Sequence, residues 1–276
     1  MQTVLQALPD LCSIKQPMME LCNNTILITG GTSGIGLELA KQLLLRGNTV
    51  IVTGRDATKL EQTKQQFPRI HTFQSDVCDP EAITGLYEQV TKQFPALNIL
   101  INNAGIMLRL NLHSPSLDVH NITQEIETNL SGPVRMVQQF LPHLKQQPAA
   151  AIMNVTSGIS LMPFPLSPVY GATKAGLRSY TQSLRMQLKN TNIKVFDLVA
   201  PGANTPLNEK FLGDVNKNMF MEADDLVAAA IKGLRKDKLE ILPGISRVLK
   251  VISRIAPKFL LTQLSKPLEK MLAQAI

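Results

Sequence analysis

The sequence predicts an α/β fold in which helices cover both faces of a doubly wound parallel sheet. Three observations support this prediction. Between residues 25 and 200, short apolar runs alternate with longer amphipathic stretches, as expected for repeated strand–helix units. The strand runs are almost continuously apolar, which is typical of parallel strands buried on both faces. A glycine-rich segment joins the first strand to the first helix.

The strands are predicted from apolar runs, and the helices from apolar residues at spacings of three and four. Ile35 and Leu39 begin such a stripe in the first helix. Pro80 suits the first turn of the third helix, and Pro133 is expected to bend the long fourth one. The predicted strands are residues 25–29, 49–53, 70–74, 97–102, 149–155, 193–199 and 239–242. The predicted helices are residues 35–46, 56–66, 80–94, 121–145, 168–190 and 222–236.

One domain is expected to span residues 21–242. A chain of 276 residues with 44% hydrophobic content can build one large core. Residues 1–20 are expected to form an N-terminal extension. Translation is expected to start at Met1, or at Met18 or Met19.

Two stretches outside the strand–helix pattern, residues 201–221 and 243–276, are predicted to lack regular structure. The first is expected to include a substrate lid at about residues 203–221. The second interleaves lysine and arginine with apolar residues and is interrupted by Pro257 and Pro267, so it is a basic amphipathic extension. Its apolar face is expected to pack on the domain or on a second subunit. Peripheral attachment to an anionic membrane is the less favoured alternative.

The composition argues against several classes of protein. The net charge of +7 comes without an arginine-rich helix or aromatic–basic interleaving, so nucleic-acid binding is not expected. No uncharged apolar run reaches about 18 residues, the length that a membrane span requires. Cys12, Cys22 and Cys78 are too scattered for a disulfide framework or a metal site, and the histidines lack metal-ligand spacing. We expect a cytoplasmic protein with reduced thiols and no metal.

Residues 29–36, with the sequence Thr-Gly-Gly-Thr-Ser-Gly-Ile-Gly, join the first strand to the first helix. Glycines there permit a tight turn and let the backbone approach a pyrophosphate, which free N–H groups of the helix N-terminus can bind. A plain turn is the alternative. The position between a buried strand and an amphipathic helix favours dinucleotide binding. The candidate binding residues in this segment are Gly30, Thr32, Ser33, Gly34, Ile35 and Gly36.

The spacing Thr-Gly-x-x-x-Gly-x-Gly resembles that of the short-chain dehydrogenase/reductase family, in its subfamily with a Tyr-x-x-x-Lys motif. The Asn-Asn-Ala-Gly of residues 102–105 matches the end of the family's fourth strand, and the resemblance covers about residues 24–240. Within the family, the sequence looks most like bacterial oxidoreductases of the DltE-like group. The resemblance implies a Rossmann-like fold. It also implies cofactor contacts at Asp76, Val77, Asn103, Ala104, Gly105, Pro201, Gly202 and Thr205, with Asn103 linking neighbouring strands.

The end of the second strand bears on the choice of nicotinamide cofactor. An NAD enzyme needs an acidic residue there for the ribose 2′-hydroxyl, whereas a 2′-phosphate needs a cation. In the family, Gly54 occupies the position of that acid and Arg55 the position of the cation, whose guanidinium suits bidentate phosphate binding. Asp56 either caps the next helix or repels the phosphate, and Thr32 and Ser33 replace the basic residue of some glycine loops. The sequence predicts NADP(H), with a solvated Arg55 as the alternative.

Tyr170 and Lys174 are four residues apart, which puts them on one face of a helix. A nearby cation is expected to lower the pKa of the phenol from about 10. A surface pair is the alternative, but Ser157 lies thirteen residues before Tyr170, and this matches the family's Ser–Tyr spacing. The resemblance implies that Tyr170 is the acid–base catalyst, Ser157 orients the substrate oxygen and Lys174 holds the ribose. It implies that Asn129 seats a water beside the lysine.

These residues predict hydride transfer between NADP(H) and a small carbonyl or alcohol substrate. Met107, Met162 and Phe164 lie in apolar loops after the strands, and they either contact an apolar substrate or are ordinary packing. A non-catalytic NADP-binding sensor or scaffold is the rival prediction, since fold does not determine function. Such a protein needs the glycine loop but not the serine, tyrosine and lysine. An epimerase or dehydratase shares the tyrosine and lysine but usually belongs to longer chains.

A homodimer or homotetramer is expected, because family members commonly pair the two long helices, here residues 121–145 and 168–190, across a two-fold axis. The physiological direction and the identity of the substrate do not follow from the sequence.

Overall fold

The computed structural model describes residues 20–114, 117–211 and 220–273. Its strands pair in parallel in one sheet with the order β3-β2-β1-β4-β5-β6-β7. The strands are β1 (Thr25–Thr29), β2 (Thr49–Gly54), β3 (His71–Gln74), β4 (Leu97–Asn102), β5 (Ala150–Ser157), β6 (Ile193–Ala200) and β7 (Glu240–Ile241). The strand order reverses between β1 and β4, and such a switch point is where open α/β sheets bind ligands. The predicted doubly wound, Rossmann-like fold is therefore confirmed.

Helices cover both faces of the sheet, and two apolar clusters lie between the layers. Ile26 and Ile28 of β1 point into one cluster and Leu27 into the other, as the two-residue period of a strand requires. The helices are α1 (Gly34–Leu44), α2 (Ala57–Gln66), α3 (Pro80–Gln93), α4 (Val119–Ile122), α5 (Gln124–Ile126), α6 (Gly132–Leu144), α7 (Pro168–Gln187), α8 (Ala223–Arg235), α9 (Ser246–Ile255) and α10 (Pro257–Ala273). Helices α1 and α8 pack on the first cluster, and α3, α6 and α7 pack on the second.

The single long helix predicted over residues 121–145 is interrupted in the structure. A π-helical turn (Glu127–Ser131) separates the short α4 and α5 from α6. Pro133 has no N–H to donate to the carbonyl oxygen of Asn129, so the regular α-helical ladder cannot continue there. The bend predicted at Pro133 is instead a widened turn just before it, and Asn129 lies inside that turn.

The prediction that residues 243–276 lack regular structure is wrong, because α9 and α10 occupy most of this stretch. Pro257 does not prevent a second helix, since it is the first residue of α10, where no N–H is needed. In the parts of the chain that the structure describes, no helix combines the length and hydropathy that crossing a membrane requires.

The other stretch expected to lack regular structure, residues 201–221, contains a short 3-10 helix (Glu209–Phe211) and an isolated bridge between Ala203 and Met221. Residues 212–219 of the predicted lid lie outside the described residues, so the lid stays a prediction. Nearly all of the predicted N-terminal extension also lies outside them.

Candidate active site

The turn between β1 and α1 requires glycine at several positions. Gly30 and Gly34 have φ angles of +64° and +52°, a region that glycine adopts at no steric cost. A Cβ on Gly36 would lie 2.3 Å from the carbonyl oxygen of Gly30 and 2.4 Å from Nδ2 of Asn103. Ser33, the N-cap of α1, makes no side-chain capping bond, so its hydroxyl does not occupy the N–H groups of the first turn.

The Asn103 side chain fixes this turn against β4. Its Nδ2 donates to the carbonyl oxygens of Thr29 and Gly30, both at 3.0 Å. In return, Oγ1 of Thr29 accepts the backbone N–H groups of Asn103 at 3.0 Å and of Ala104 at 3.1 Å. The expectation that Asn103 links neighbouring strands is confirmed.

Most of the predicted site residues line two adjoining hollows at the carboxyl ends of the strands, which share Gly30 and Gly105. The first is lined, among others, by Gly30, Ser33, Gly34, Ile35, Asn103, Gly105, Ser157, Tyr170, Lys174, Pro201, Gly202 and Thr205. The second includes Arg55, Asp76, Val77 and Ala104. Thr32 and Gly36 lie beside these hollows rather than in their lining. Together the hollows form a groove across the switch point.

The end of β2 combines a cation with an open space. Arg55 is exposed and lines the second hollow. A Cβ on Gly54 would meet its nearest neighbour, Thr32, at 3.5 Å, so a side chain would fit there and the sequence leaves the space empty. Asp56 caps α2, because its Oδ1 accepts the N–H of Lys59 at 3.1 Å. Of the two alternatives for Asp56, the capping role is therefore the one observed.

The predicted serine, tyrosine and lysine meet inside the first hollow. Ser157 ends β5, and Tyr170 and Lys174 share one face of α7. Nζ of Lys174 lies 5.7 Å from the centroid of the Tyr170 ring and donates to the carbonyl oxygen of Val155 at 2.9 Å. All three side chains are buried, so none is the solvated surface group of the alternative interpretation.

Burial dominates the electrostatics of this group. It raises the pKa of Tyr170 to about 12, against a smaller opposing effect of the Ser157 hydroxyl, and the Glu125 carboxylate raises it further. Burial lowers the pKa of Lys174 to about 8, and Asp197 partly opposes this. The expectation that Lys174 lowers the pKa of Tyr170 below its ordinary value is therefore wrong here. Desolvation penalises both charged forms, and a lysine that loses its proton more readily stabilises a phenolate less.

Asn129 is fully buried in the π-helical turn. Its Nδ2 donates to the carbonyl oxygen of Ile106 at 2.8 Å, and its Oδ1 accepts the N–H of Ile106 at 2.9 Å. Nδ2 also reaches Oγ1 of Thr173 at 3.3 Å. A Cβ on Gly105 would lie 3.2 Å from Oδ1 of Asn129 and 3.6 Å from Nζ of Lys174. The glycine therefore lets the amide and the ammonium approach the same small space.

Sequence reasoning missed Glu125, a fully buried carboxylate in α5. Its Oε1 accepts the N–H of Leu108 at 2.7 Å, and Oε2 has no hydrogen-bond partner. Burial raises the pKa of Glu125, and the backbone N–H groups of Leu108 and Tyr170 partly oppose this. The sequence did contain a signal for this residue. Glu125 lies four positions before Asn129, and this helical spacing indicates that the two side chains share one face.

Apolar side chains from separate segments meet beside Tyr170 and form the substrate-side cluster, consisting of Met107, Phe164, Leu166, Tyr170 and Phe211. Leu264 and Leu268 of α10 pack against this cluster, so the C-terminal extension covers part of the site. Of the loop residues predicted to contact substrate, Met107 and Phe164 belong to the cluster. Met162 lines a separate hollow.

Comparisons with known proteins agree with this architecture. A family model described as short chain dehydrogenase matches residues 24–215. The oxidoreductase DltE of Bacillus subtilis (strain 168), described as uncharacterized, is 43% identical over 224 residues, which are 81% of this chain and 89% of that protein. A short-chain dehydrogenase from Burkholderia cenocepacia J2315 in complex with NADP has a TM-score of 0.77 at 21% identity, covering 89% of this chain and 99% of its own.

A short-chain dehydrogenase/reductase from Burkholderia phymatum in complex with NAD has a TM-score of 0.75 at 20% identity, covering 84% of this chain and 94% of its own. At these identities, the two solved structures support the fold alone. The family model and the identity to DltE, by contrast, are matches to the amino-acid sequence itself over most of the chain, and they therefore show its family.

Proposed function

The chain belongs to the short-chain dehydrogenase family, and on that premise we propose that it is an NADP-dependent oxidoreductase acting on a carbonyl or alcohol substrate. The observation that supports this most directly is the meeting of Ser157, Tyr170 and Lys174, all buried, beside a turn that needs glycine. A protein that only binds a nucleotide has no use for a buried phenol and ammonium in the same hollow.

The groove suits a nicotinamide dinucleotide. The glycine turn and the N-terminus of α1 suit a pyrophosphate, and Arg55, with no acid at Gly54, suits a 2′-phosphate. Thr205 approaches the turn closely, since a Cβ on Gly34 would lie 3.3 Å from its Cβ, and this suits the nicotinamide end. When bound, the cofactor supplies or accepts the hydride. Every proton must then come from or go to the chain's own groups.

Tyr170 is the acid–base group in this mechanism. A pKa of about 12 keeps the phenol protonated at neutral pH, so in reduction its hydroxyl gives a proton to the carbonyl oxygen. Ser157 holds that oxygen by a hydrogen bond. In oxidation the phenolate must form, and the positive charge of an oxidised nicotinamide bound nearby would favour it.

Lys174 and Asn129 supply a path for the proton. The carbonyl oxygen of Val155 anchors the ammonium, which keeps Nζ directed at the hollow where ribose hydroxyls would bind. Asn129, whose carbonyl oxygen cannot accept a hydrogen bond from Pro133, is the residue proposed to hold a water next to Lys174.

An apolar carbonyl compound is the proposed substrate class, because apolar side chains of the substrate-side cluster pack around Tyr170. We also propose one domain over residues 21–242 with the basic extension 243–276. We propose a homodimer or homotetramer in which helices α4–α6 and α7 pair between subunits. We also propose that the protein is located in the cytoplasm.

A screen of NADPH oxidation with aldehydes, ketones and quinones tests the proposal, with Tyr170→Phe as the control. At least one class should be reduced by the wild type and not by the variant, while both bind NADPH in calorimetry. Binding of NADPH without turnover of any class would contradict it and would favour a non-catalytic NADP-binding sensor.

A further inference from the structure

The C-terminal helices α9 and α10 have two unlike apolar faces. Inward, Leu249 approaches Gly158 beside the catalytic serine, and Leu260 is buried. The expected packing of the extension on the domain is thus observed for this face. Outward, Val248, Val251 and Ile255 recur at helical spacing, with exposed fractions of 52%, 54% and 78%. Packing on the domain therefore explains only one face of α9.

The outward face is also basic. From residue 244 to residue 268 the sequence contains lysine and arginine but no aspartate or glutamate. Lys250 turns inward and forms an ion pair with Glu240 of β7. Arg254 and Lys258 are exposed near the apolar residues, and so is Phe259 in the first turn of α10, at 61%. A partner for this face must accept both apolar side chains and cations.

A second copy of the chain fits this requirement poorly. A two-fold contact sets a patch against itself, so cations would meet cations with no carboxylate between them. An anionic lipid surface offers an acyl boundary to the apolar stripe and phosphate groups to the flanking cations. We propose that the outward face of α9 and the first turn of α10 bind peripherally to an anionic membrane surface.

Sedimentation with vesicles tests this proposal on the full-length protein. Vesicles of phosphatidylcholine with an equal amount of phosphatidylglycerol should bind the chain, and vesicles of phosphatidylcholine alone should bind it weakly. High salt should release it, because the basic residues contribute by screened attraction. The double variant Val251→Glu with Ile255→Glu should weaken binding by about tenfold or more. Leu45→Glu, which changes a leucine after α1 that is 82% exposed, should not.

Three outcomes would overturn the proposal. The first is no binding to the anionic vesicles, and the second is equal binding by the double variant. The third is a double variant that changes the oligomeric state in light scattering, which would assign the face to contact between copies of the chain. Melting temperature and NADPH affinity, measured in parallel, identify a variant that fails to fold.

A separate observation concerns the start of the catalytic helix α7. Ser167, its N-cap residue, makes no capping bond, and its hydroxyl donates instead to the carbonyl oxygen of Leu108. Leu108 also donates its N–H to Glu125, and this carboxylate is close enough to Tyr170 in the first turn to raise the pKa of its phenol. A buried carboxylate is favoured at this end of the helix, where free N–H groups carry partial positive charge. Glu125 is therefore joined, through Leu108, to Ser167 at the start of α7.

We infer that Glu125 is a positioning residue: by fixing the loop at Leu108, to which the start of α7 is bonded, it holds the Tyr170 hydroxyl in the cleft. The inference rests on the proposed function, in which Tyr170 exchanges the proton. Among the described residues, the charged groups that face Tyr170 are Lys174, on its own helix, and Glu125, on α5. Changing Glu125 should therefore alter the ionisation of Tyr170 as well as stability.

Tyrosinate absorbance reports this ionisation without any substrate. The chain contains no tryptophan and three tyrosines, so the difference between a protein and its Tyr170→Phe counterpart isolates one phenol. Glu125→Gln removes the charge but keeps the shape, and it should move the Tyr170 titration to lower pH by on the order of one unit. The control Glu127→Gln changes a partly exposed acid paired with Arg135 and should leave the titration unchanged.

A Tyr170 titration that coincides in Glu125→Gln and wild type, with only the melting temperature reduced, would assign Glu125 a purely structural role and overturn the inference. If Glu125→Gln does not fold, Glu125→Asp keeps the charge but shortens the side chain, so it no longer reaches the N–H of Leu108. It should shift the Tyr170 titration, and a titration identical to that of the wild type would contradict the inference. Because the readout needs no turnover, a failure here is distinct from a failure of the proposed oxidoreductase activity.

Discussion

The two sides of the groove are built differently. On the nucleotide side, backbone and amide contacts hold the turn between β1 and α1. On the substrate side, the substrate-side cluster brings together side chains that are far apart in the chain. Gly36 lies against Gly30 and Asn103 with no space for a Cβ. The substrate-side cluster instead joins loops and α10 through apolar contacts. The first arrangement leaves no space for a side chain at Gly36, whereas apolar packing such as that of the second tolerates changes of size.

Tyr170→Phe should have the largest effect, because Tyr170 stands where the two sides meet. Loss of a positioned proton donor should reduce turnover by about 10²–10⁴-fold. NADPH affinity should remain, since the glycine turn is untouched. Steady-state rates on a substrate found by screening, with calorimetry for binding, measure both. A variant that keeps more than about a tenth of the wild-type rate is incompatible with this role.

Gly36→Ala should break the nucleotide side. The new Cβ would lie 2.3 Å from the carbonyl oxygen of Gly30, so the turn must shift. We expect about 1–3 kcal/mol of destabilisation, as for an overpacked interior, and NADPH affinity reduced by roughly a hundredfold through the displaced N–H groups. Gly85→Ala in α3 is the matched control, because its Cβ would meet nothing within 4 Å. Equal melting temperatures for the two variants would show that the turn is less tight than described.

Arg55→Ala should separate two contributions to cofactor binding on the nucleotide side. It removes the contact that the arginine side chain makes and leaves the glycine turn intact. A charged hydrogen bond contributes about 1.5–3 kcal/mol, so NADPH affinity should fall by on the order of ten- to a hundredfold. NADH affinity should hardly change. Calorimetry with both cofactors measures the difference. Unaltered NADPH binding, or equal affinity of the wild type for NADH and NADPH, would argue for NAD or for no preference.

The pH dependence of the reaction should follow Tyr170. Its pKa of about 12 lies above the ordinary value, so the phenol is protonated at neutral pH and reduction proceeds. Oxidation requires the phenolate, so its rate should rise by about tenfold per pH unit below that pKa. The bound oxidised cofactor should bring the midpoint down. Profiles of kcat/KM in both directions measure this, and an oxidation rate that falls with rising pH would contradict the assignment.

Leu264→Ala with Leu268→Ala should have the smallest effect and distinguish a substrate surface from ordinary packing. Both residues are partly buried and pack on the substrate-side cluster from α10. Losing apolar contact on the order of 1 kcal/mol should raise KM for an apolar substrate several-fold, with NADPH affinity unchanged. Leu261→Ala, on the exposed side of the same helix, is the control. A lower melting temperature at constant KM would identify packing alone.

The fold and most of the groove were predictable because they depend on local features. Alternating apolar runs placed the strands, and the glycines of the first turn and the pair Tyr170 and Lys174 were identified from short spacings, whereas Asn103 was identified from the family resemblance. The breaks in the prediction have physical causes. The π-helical turn at Asn129 follows from the missing N–H of Pro133 together with packing against the loop at Ile106. Helical periodicity alone does not detect such a turn, so it predicted one continuous helix there.

The sequence by itself determined the strand–helix order, the glycine turn and the spacing of the serine, tyrosine and lysine, because residue type sets backbone freedom and periodicity locally. Only the tertiary structure decided that Glu125 lies beneath α7, that α10 covers part of the substrate side and that Tyr170 has a raised pKa. Each of these depends on desolvation or on contact between segments far apart in the chain. Such effects exist only once the chain has folded, since burial belongs to the whole molecule and not to any stretch of it.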